Sequence, residues 1–164
     1  MAIPEQIDAE SLGDYLEVMT KAIFQAGVSW AMVDKKWPAF RKAFCNFDVH
    51  KVADFGDADI ERLSQDASIL RSPKKIAATV ENARTLIALD KEYGGIKEYL
   101  HSRTYKDLNK DIHKRFKYMG ELNVYYFLFR VKESVPNFDE WIVTIEGEHP
   151  RMREMVELAN QKSG

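Results

Sequence analysis

Several things are scarce in this sequence, and each scarcity excludes something. Its 164 residues include one cysteine, Cys45, so no disulfide can form within the chain. With only four scattered histidines beside that cysteine, a structural zinc cluster has too few ligands, and a protein without metal or cofactor is expected. Long hydrophobic runs are missing too. The longest apolar stretch runs from Val124 to Phe129, far short of the roughly 20 residues that cross a bilayer. The first twenty residues contain no Lys or Arg, the reverse of a secretory signal, which leaves a cytoplasmic monomer as the expectation. No internal repeat, low-complexity tract or alternating strand-like segment of useful length occurs. What remains is ordinary for a folded chain: 45% apolar and 30% charged residues, enough to bury the core of one domain spanning residues 1–164.

A net charge of −2 argues weakly against a polyanionic partner, but the total conceals a partition. Residues 1–20 carry −5, residues 133–164 carry −4, and the stretch between carries +7. Its bases fall in three clusters: Lys35, Lys36, Arg41 and Lys42; Arg71, Lys74 and Lys75; and Arg103, Lys106, Lys110, Lys114, Arg115 and Lys117. Such asymmetry can build a polyanion-binding face. It can equally be the solvated side of three helices.

Apolar residues recur at helical spacing almost throughout. Leu16, Met19, Ile23 and Ala26 form one series, and Val33, Trp37, Phe40 and Phe44 another. Pro38 inside the second is expected to kink a helix or start a new one. Asp57 reads as the cap of a short helix reaching Gln65. Pro73 opens a long amphipathic helix that stops at Gly94-Gly95. A short helix over 96–101 follows, then a basic helix from Thr104 to Phe116, another from Gly120 to Val131, and a last one from His149-Pro150. The fold class is all-α, with a helix–hairpin–helix element at 104–132.

Two segments carry chemistry. Lys117-Tyr118-Met119-Gly120 leaves only a hairpin between two helices. Gly120 tolerates positive φ and opens the second helix, whose N–H groups suit a phosphate oxygen, and Lys117 and Arg115 add mobile positive charge. This arrangement grips a nucleic-acid backbone without reading sequence, unless it is a plain helical corner. The run Phe24-Gln25-Ala26-Gly27-Val28-Ser29-Trp30 breaks the helical rhythm. Gly27 and Val28 can act as a small wedge, and Trp30 offers a flat face on which a flipped base can stack. A core tryptophan gives the same pattern.

That run, with Lys35-Lys36, Phe40-Arg41, Phe47-Asp48, Asp59-Ile60-Glu61-Arg62-Leu63, Gln65-Asp66, Asn82-Ala83-Arg84 and Phe116-Lys117-Tyr118-Met119-Gly120, resembles the DNA-3-methyladenine glycosylase I family over roughly residues 16–130. The resemblance implies a helix–hairpin–helix glycosylase fold that takes double-stranded DNA with an alkylated base, flips the base and hydrolyses its N-glycosidic bond. It assigns Trp30, Gln25 and Phe24 to the base pocket, Gly27 and Val28 to the intercalating loop, and Lys117, Gly120 and Arg115 to the DNA backbone. There are departures. The family's N-terminal pocket aromatics and its zinc ligands have no counterpart, and its pocket glutamate falls on Ala22. In the wider superfamily an aspartate follows the hairpin glycine by about twenty residues; Asp139 stands at that spacing and is the candidate catalytic acid. Leu122 occupies the position of the nucleophilic lysine of bifunctional members, so no lyase step is expected. Two further readings stay open: a DNA-binding relative that has lost the reaction, and a protein-interaction module using Trp37, Trp141 and the acidic ends.

Overall fold

Most helices begin where a short polar side chain can answer an unpaired backbone N–H. The computed structural model describes residues 5–144, and the described residues form nine α-helices and no strand. Ser11 caps α1 (Leu12–Gln25), with Asp14 reaching back to complete a capping box. Ser29 caps α2 (Trp30–Ala43), and Asp48 caps α3 (Val49–Ala53). The helix α4 (Asp57–Ser64) starts one residue earlier than expected. Asp57 lies inside it, Gly56 is the cap position, and Asp59 accepts the Gly56 N–H at 2.9 Å. The long helix α5 (Pro73–Tyr93) has Ser72 as cap, proline in its first turn and left-handed Gly94 at its end. It leads into α6 (Ile96–Leu100), then α7 (Tyr105–Arg115), capped by Thr104, and α8 (Glu121–Arg130). Asn137 caps α9 (Phe138–Ile142).

Pro38 neither starts nor ends a helix: α2 runs through it. The cost is one backbone hydrogen bond, that to the carbonyl four residues earlier, and burial of Val33, Trp37 and Phe40 on both sides of it holds the helix together. Between α2 and α3, Cys45, Asn46 and Phe47 form a single turn with φ between 54° and 56°. Left-handed backbone is unfavourable for residues with a Cβ. Stacking of the Phe47 ring on Trp37 at 5.5 Å and on Phe44 at 5.6 Å offsets it.

The core is organised around α1, which packs on α2, α5 and α8. Leu16, Met19 and Ile23 meet Ile76, Val80, Ala83 and Leu86 from α5 and Val124, Phe127 and Leu128 from α8. A second, smaller cluster joins Ala22 to Tyr125, Tyr126, Phe138, Trp141 and Ile142, with Trp30 against it. Trp37 and Trp141 are both buried, so neither is displayed to a partner as an interaction module would require of them. Among the described residues no helix is long and apolar enough to cross a membrane. The helix expected from His149-Pro150 lies outside the described residues.

Candidate nucleic-acid interface

The end of α1 and the start of α2 are separated by a turn whose shape follows from its residues. The Val28 N–H donates to the Gln25 carbonyl at 3.2 Å, and Gly27 takes φ +79°. That left-handed step suits glycine. A Cβ at Gly27 would meet no protein atom within 4 Å, so the turn faces outward. Gly27 is exposed and Val28 half-buried, its inner side packed on the core.

Trp30, the first residue of α2, is half-buried and meets the Tyr126 ring edge-on at 5.4 Å. Tyr126 anchors a polar network beneath it. Its hydroxyl donates to Gln25 Oε1 at 2.6 Å and accepts from Arg130 Nη1 at 2.6 Å. Arg130, only 4% exposed, also donates from Nε to the Glu5 carbonyl at 3.1 Å. Burial pushes the Tyr126 hydroxyl up to about 12, the Arg130 charge and hydrogen bond oppose the shift, and the Asp34 charge adds to it. Asp34, one turn beyond Trp30 on α2, pairs with Lys21 Nζ at 2.7 Å. Spacing of four from Trp30 was the signal that could have singled it out in the sequence.

Two expected pocket residues are corrected. Phe24 is 1% exposed and packs edge-on against Phe40 at 4.8 Å, in the main core. Each helical residue turns the side chain by about 100°, so Phe24 and Gln25 cannot share a wall. Gln25 does lie under Trp30, but it is 3% exposed and its carbonyl oxygen is engaged by Tyr126. It supports the site from below. Ala22 is buried among Tyr125, Tyr126, Phe138 and Trp141, an aromatic setting with no carboxylate at that position.

The hairpin between α7 and α8 is held by one side chain from α5. Asn82, 1% exposed, donates from Nδ2 to the Lys117 carbonyl at 3.1 Å and accepts the Lys117 N–H at 2.8 Å. Tyr118 takes φ +59° and is 47% exposed. The left-handed residue of the hairpin is therefore Tyr118, because Gly120 has φ −73° and simply occupies the cap position of α8. A Cβ at Gly120 would meet nothing within 4 Å, so the chain itself does not demand glycine there. No side chain caps α8, which leaves its first N–H groups facing outward. Lys117 is exposed. Arg115 is less mobile than expected: its Nε donates to Asp111 at 2.8 Å, and Asp111 also pairs with Arg103 at 2.9 Å.

The helix α5 brings loop and hairpin to one face. Lys75 in its first turn donates to the Ala26 carbonyl at 3.3 Å, and Asn82 holds Lys117. These two anchors are seven residues apart, about 10 Å along a helix at 1.5 Å per residue. Segments some ninety positions apart in sequence thus become neighbours, and two of the three basic clusters reach that face through Lys75 and Lys117.

Asp139 is exposed in the first turn of α9, on the helix whose buried Trp141 stacks on Tyr125 at 4.2 Å. Burial, with Asp139's charge second, lifts the Tyr125 hydroxyl to about 12. A separate cleft of about 460 Å³ lies between α7, the start of α8 and α9, with Tyr105, Lys106, Asn109, Lys110 and Trp141 among its walls. Trp30 is not one of them. Among the described residues no three His, Cys, Asp or Glu side chains gather as a metal site.

The sequence and the fold are similar to those of known proteins. A DNA-3-methyladenine glycosylase 1 of Escherichia coli (strain K12) is 46% identical over 66 residues, 40% of this chain and 35% of that protein; the match thus spans about a third of the relative. A DNA-3-methyladenine glycosylase of Haemophilus influenzae is 29% identical over 63% of this chain and 68% of its own length. A crystal structure of a 3-methyladenine DNA glycosylase I superposes with a TM-score of 0.67 at 26% identity, covering 79% of this chain and 82% of that one. The methyladenine glycosylase family model matches residues 10–125, from the start of α1 into α8, and the chain belongs to that family.

Proposed function

We propose that the protein is a DNA glycosylase that releases a 3-methyladenine-type base from double-stranded DNA by hydrolysing its N-glycosidic bond. The observation that carries this reading is the shared face built by α5, with the Gly27-Val28 turn and Trp30 at one end and the Lys117–Gly120 hairpin at the other. A helix–hairpin–helix grip at 117–120 offers the α8 N–H groups and Lys117 to backbone phosphate. The turn at 27–28 fills the space a flipped nucleotide vacates, and Trp30 stacks on the base, a contact worth about 1–3 kcal/mol. A base methylated at N3 is cationic, so it leaves as a neutral molecule without a proton donor, and it gains cation–π attraction on Trp30. The relatives' names point to the same substrate.

The test is release of free base from methylated duplex, with 3-methyladenine and 7-methylguanine followed separately. Wild-type protein is expected to release 3-methyladenine and leave the abasic strand uncut, since Leu122 supplies no nucleophile. Trp30→Ala should slow release about tenfold or more while changing affinity for undamaged duplex less than twofold. Duplex binding without any base release would leave only the DNA-binding part of the reading.

A further inference from the structure

Cleaving an N-glycosidic bond leaves positive charge on the sugar, and the group best suited to steady that charge is a carboxylate held beside the stacked base. The buried members of the aromatic cluster around Trp30 supply none: Ala22, Tyr125, Tyr126, Phe138 and Trp141 are all neutral. Asp139, whose charge reaches Tyr125, is exposed on α9 rather than on the helix that carries Trp30. The one acid that the secondary structure places on the Trp30 face of α2 is Asp34, a single turn away. Its side chain is 39% exposed, so substrate can reach it, and Oδ1 is pinned by Lys21 Nζ at 2.7 Å. Lys21 is itself immobile, 14% exposed and lying over the Trp37 ring at 5.4 Å. The pair ties α2 to α1 one residue from Ala22. No hydrogen bond or ion pair engages Oδ2 of Asp34 among the described residues.

We propose that Asp34 is the catalytic carboxylate of this site, given the glycosylase reading above. As the C1′–N9 bond breaks, its electron pair leaves with the base and neutralises the cationic ring. A water oxygen bonds to C1′, and the water proton passes to Asp34 and then to solvent. The carboxylate that steadies the sugar cation is thus the one that accepts the proton. Lys21 fixes its orientation, and Trp30 holds the base within reach.

The experiment compares Asp34→Asn, Asp34→Glu and Lys21→Met in single-turnover release of 3-methyladenine from methylated duplex, with duplex Kd and Tm measured alongside. Asp34→Asn should lower the release rate by about 100-fold or more with duplex Kd within twofold of wild type. Asp34→Glu should recover part of the loss. Asp34→Asn and Lys21→Met both disrupt the ion pair, and Tm reads how far each one destabilises the fold. An interhelical staple alone would slow release equally in both, whereas a catalytic carboxylate makes Asp34→Asn far the worse. Equal losses in the two variants, or release by Asp34→Asn within threefold of wild type, would overturn the assignment while the glycosylase reading stands. A wild-type protein that releases no base overturns both.

Discussion

Asn82 shows how much one side chain can decide. It sits mid-helix in α5, 1% exposed, and both its amide groups are spent on the backbone of Lys117. Truncation to alanine strands a buried N–H and a C=O, a penalty of about 1–3 kcal/mol. Asn82→Ala should therefore lower the urea midpoint and weaken duplex binding at low salt, because the hairpin loses its only side-chain clasp to α5 among the described residues. Unchanged duplex affinity in a destabilised Asn82→Ala protein would show that the hairpin holds its shape without Asn82, through the bonds of His113 to the Met119 carbonyl and of Asn123 to the Tyr118 carbonyl. The sequence marks Asn82 only as part of the family resemblance; its helical position alone gives no hint of the clasp on Lys117. Trp30 and Gly27, by contrast, were legible, since a glycine between two apolar helices has few reasons to be there. Phe24 stands next to Gln25 in the sequence yet packs in the main core, because successive helical residues point in different directions.

At the scale of elements, Asp111 couples α6, α7 and the turn between them. It accepts the Tyr99 hydroxyl of α6 at 2.6 Å, pairs with Arg103 at 2.9 Å, and accepts from Arg115 one turn further along α7 at 2.8 Å. Burial alone would raise its carboxyl, but the Tyr99 hydrogen bond and the two guanidiniums outweigh it and hold the group below the usual carboxylate range. A carboxylate depressed in the folded state contributes stability that is complete above its unfolded value of about 3.9 and is lost as pH falls through the lower folded value. Wild-type urea midpoints should thus drop below about pH 4 more steeply than those of Asp111→Asn, which starts less stable and lacks this acid-dependent loss. Parallel curves would remove Asp111 as a source of acid sensitivity. Elements such as α5 were readable from proline, periodicity and glycine acting together over six turns. The five-residue α9 was not, since it is too short to show a period. The left-handed turn at 45–47 is supported by the stacking of Phe47 on Trp37 and Phe44, a tertiary cause that local sequence does not carry.

For the whole molecule, the proposed function raises the question of how a chain of net charge −2 would hold DNA. The acidic N-terminal segment packs at the far end of α8 from the hairpin. Gln6 Nε2 donates to the Phe129 carbonyl at 2.9 Å, the Ile7 N–H to the Arg130 carbonyl at 2.8 Å, and Lys132 pairs with Asp8 at 3.0 Å. At 1.5 Å per residue, the ten residues of α8 separate that end from Gly120 by about 15 Å, more than the Debye length of about 8 Å at physiological salt. Glu5 and Asp8, at that end, are therefore screened from the proposed phosphate grip, and the bases of the +7 middle of the chain act locally. Binding through such a face releases counterions, so log K for undamaged duplex should fall linearly with log salt concentration. Lys117→Gln should reduce the magnitude of that slope by about one, with a similar loss for any duplex sequence. Lys132→Gln, at the acidic end, should leave the slope where it was. A duplex affinity indifferent to salt, or equal slopes for wild type and Lys117→Gln, would move the DNA-binding face away from the hairpin.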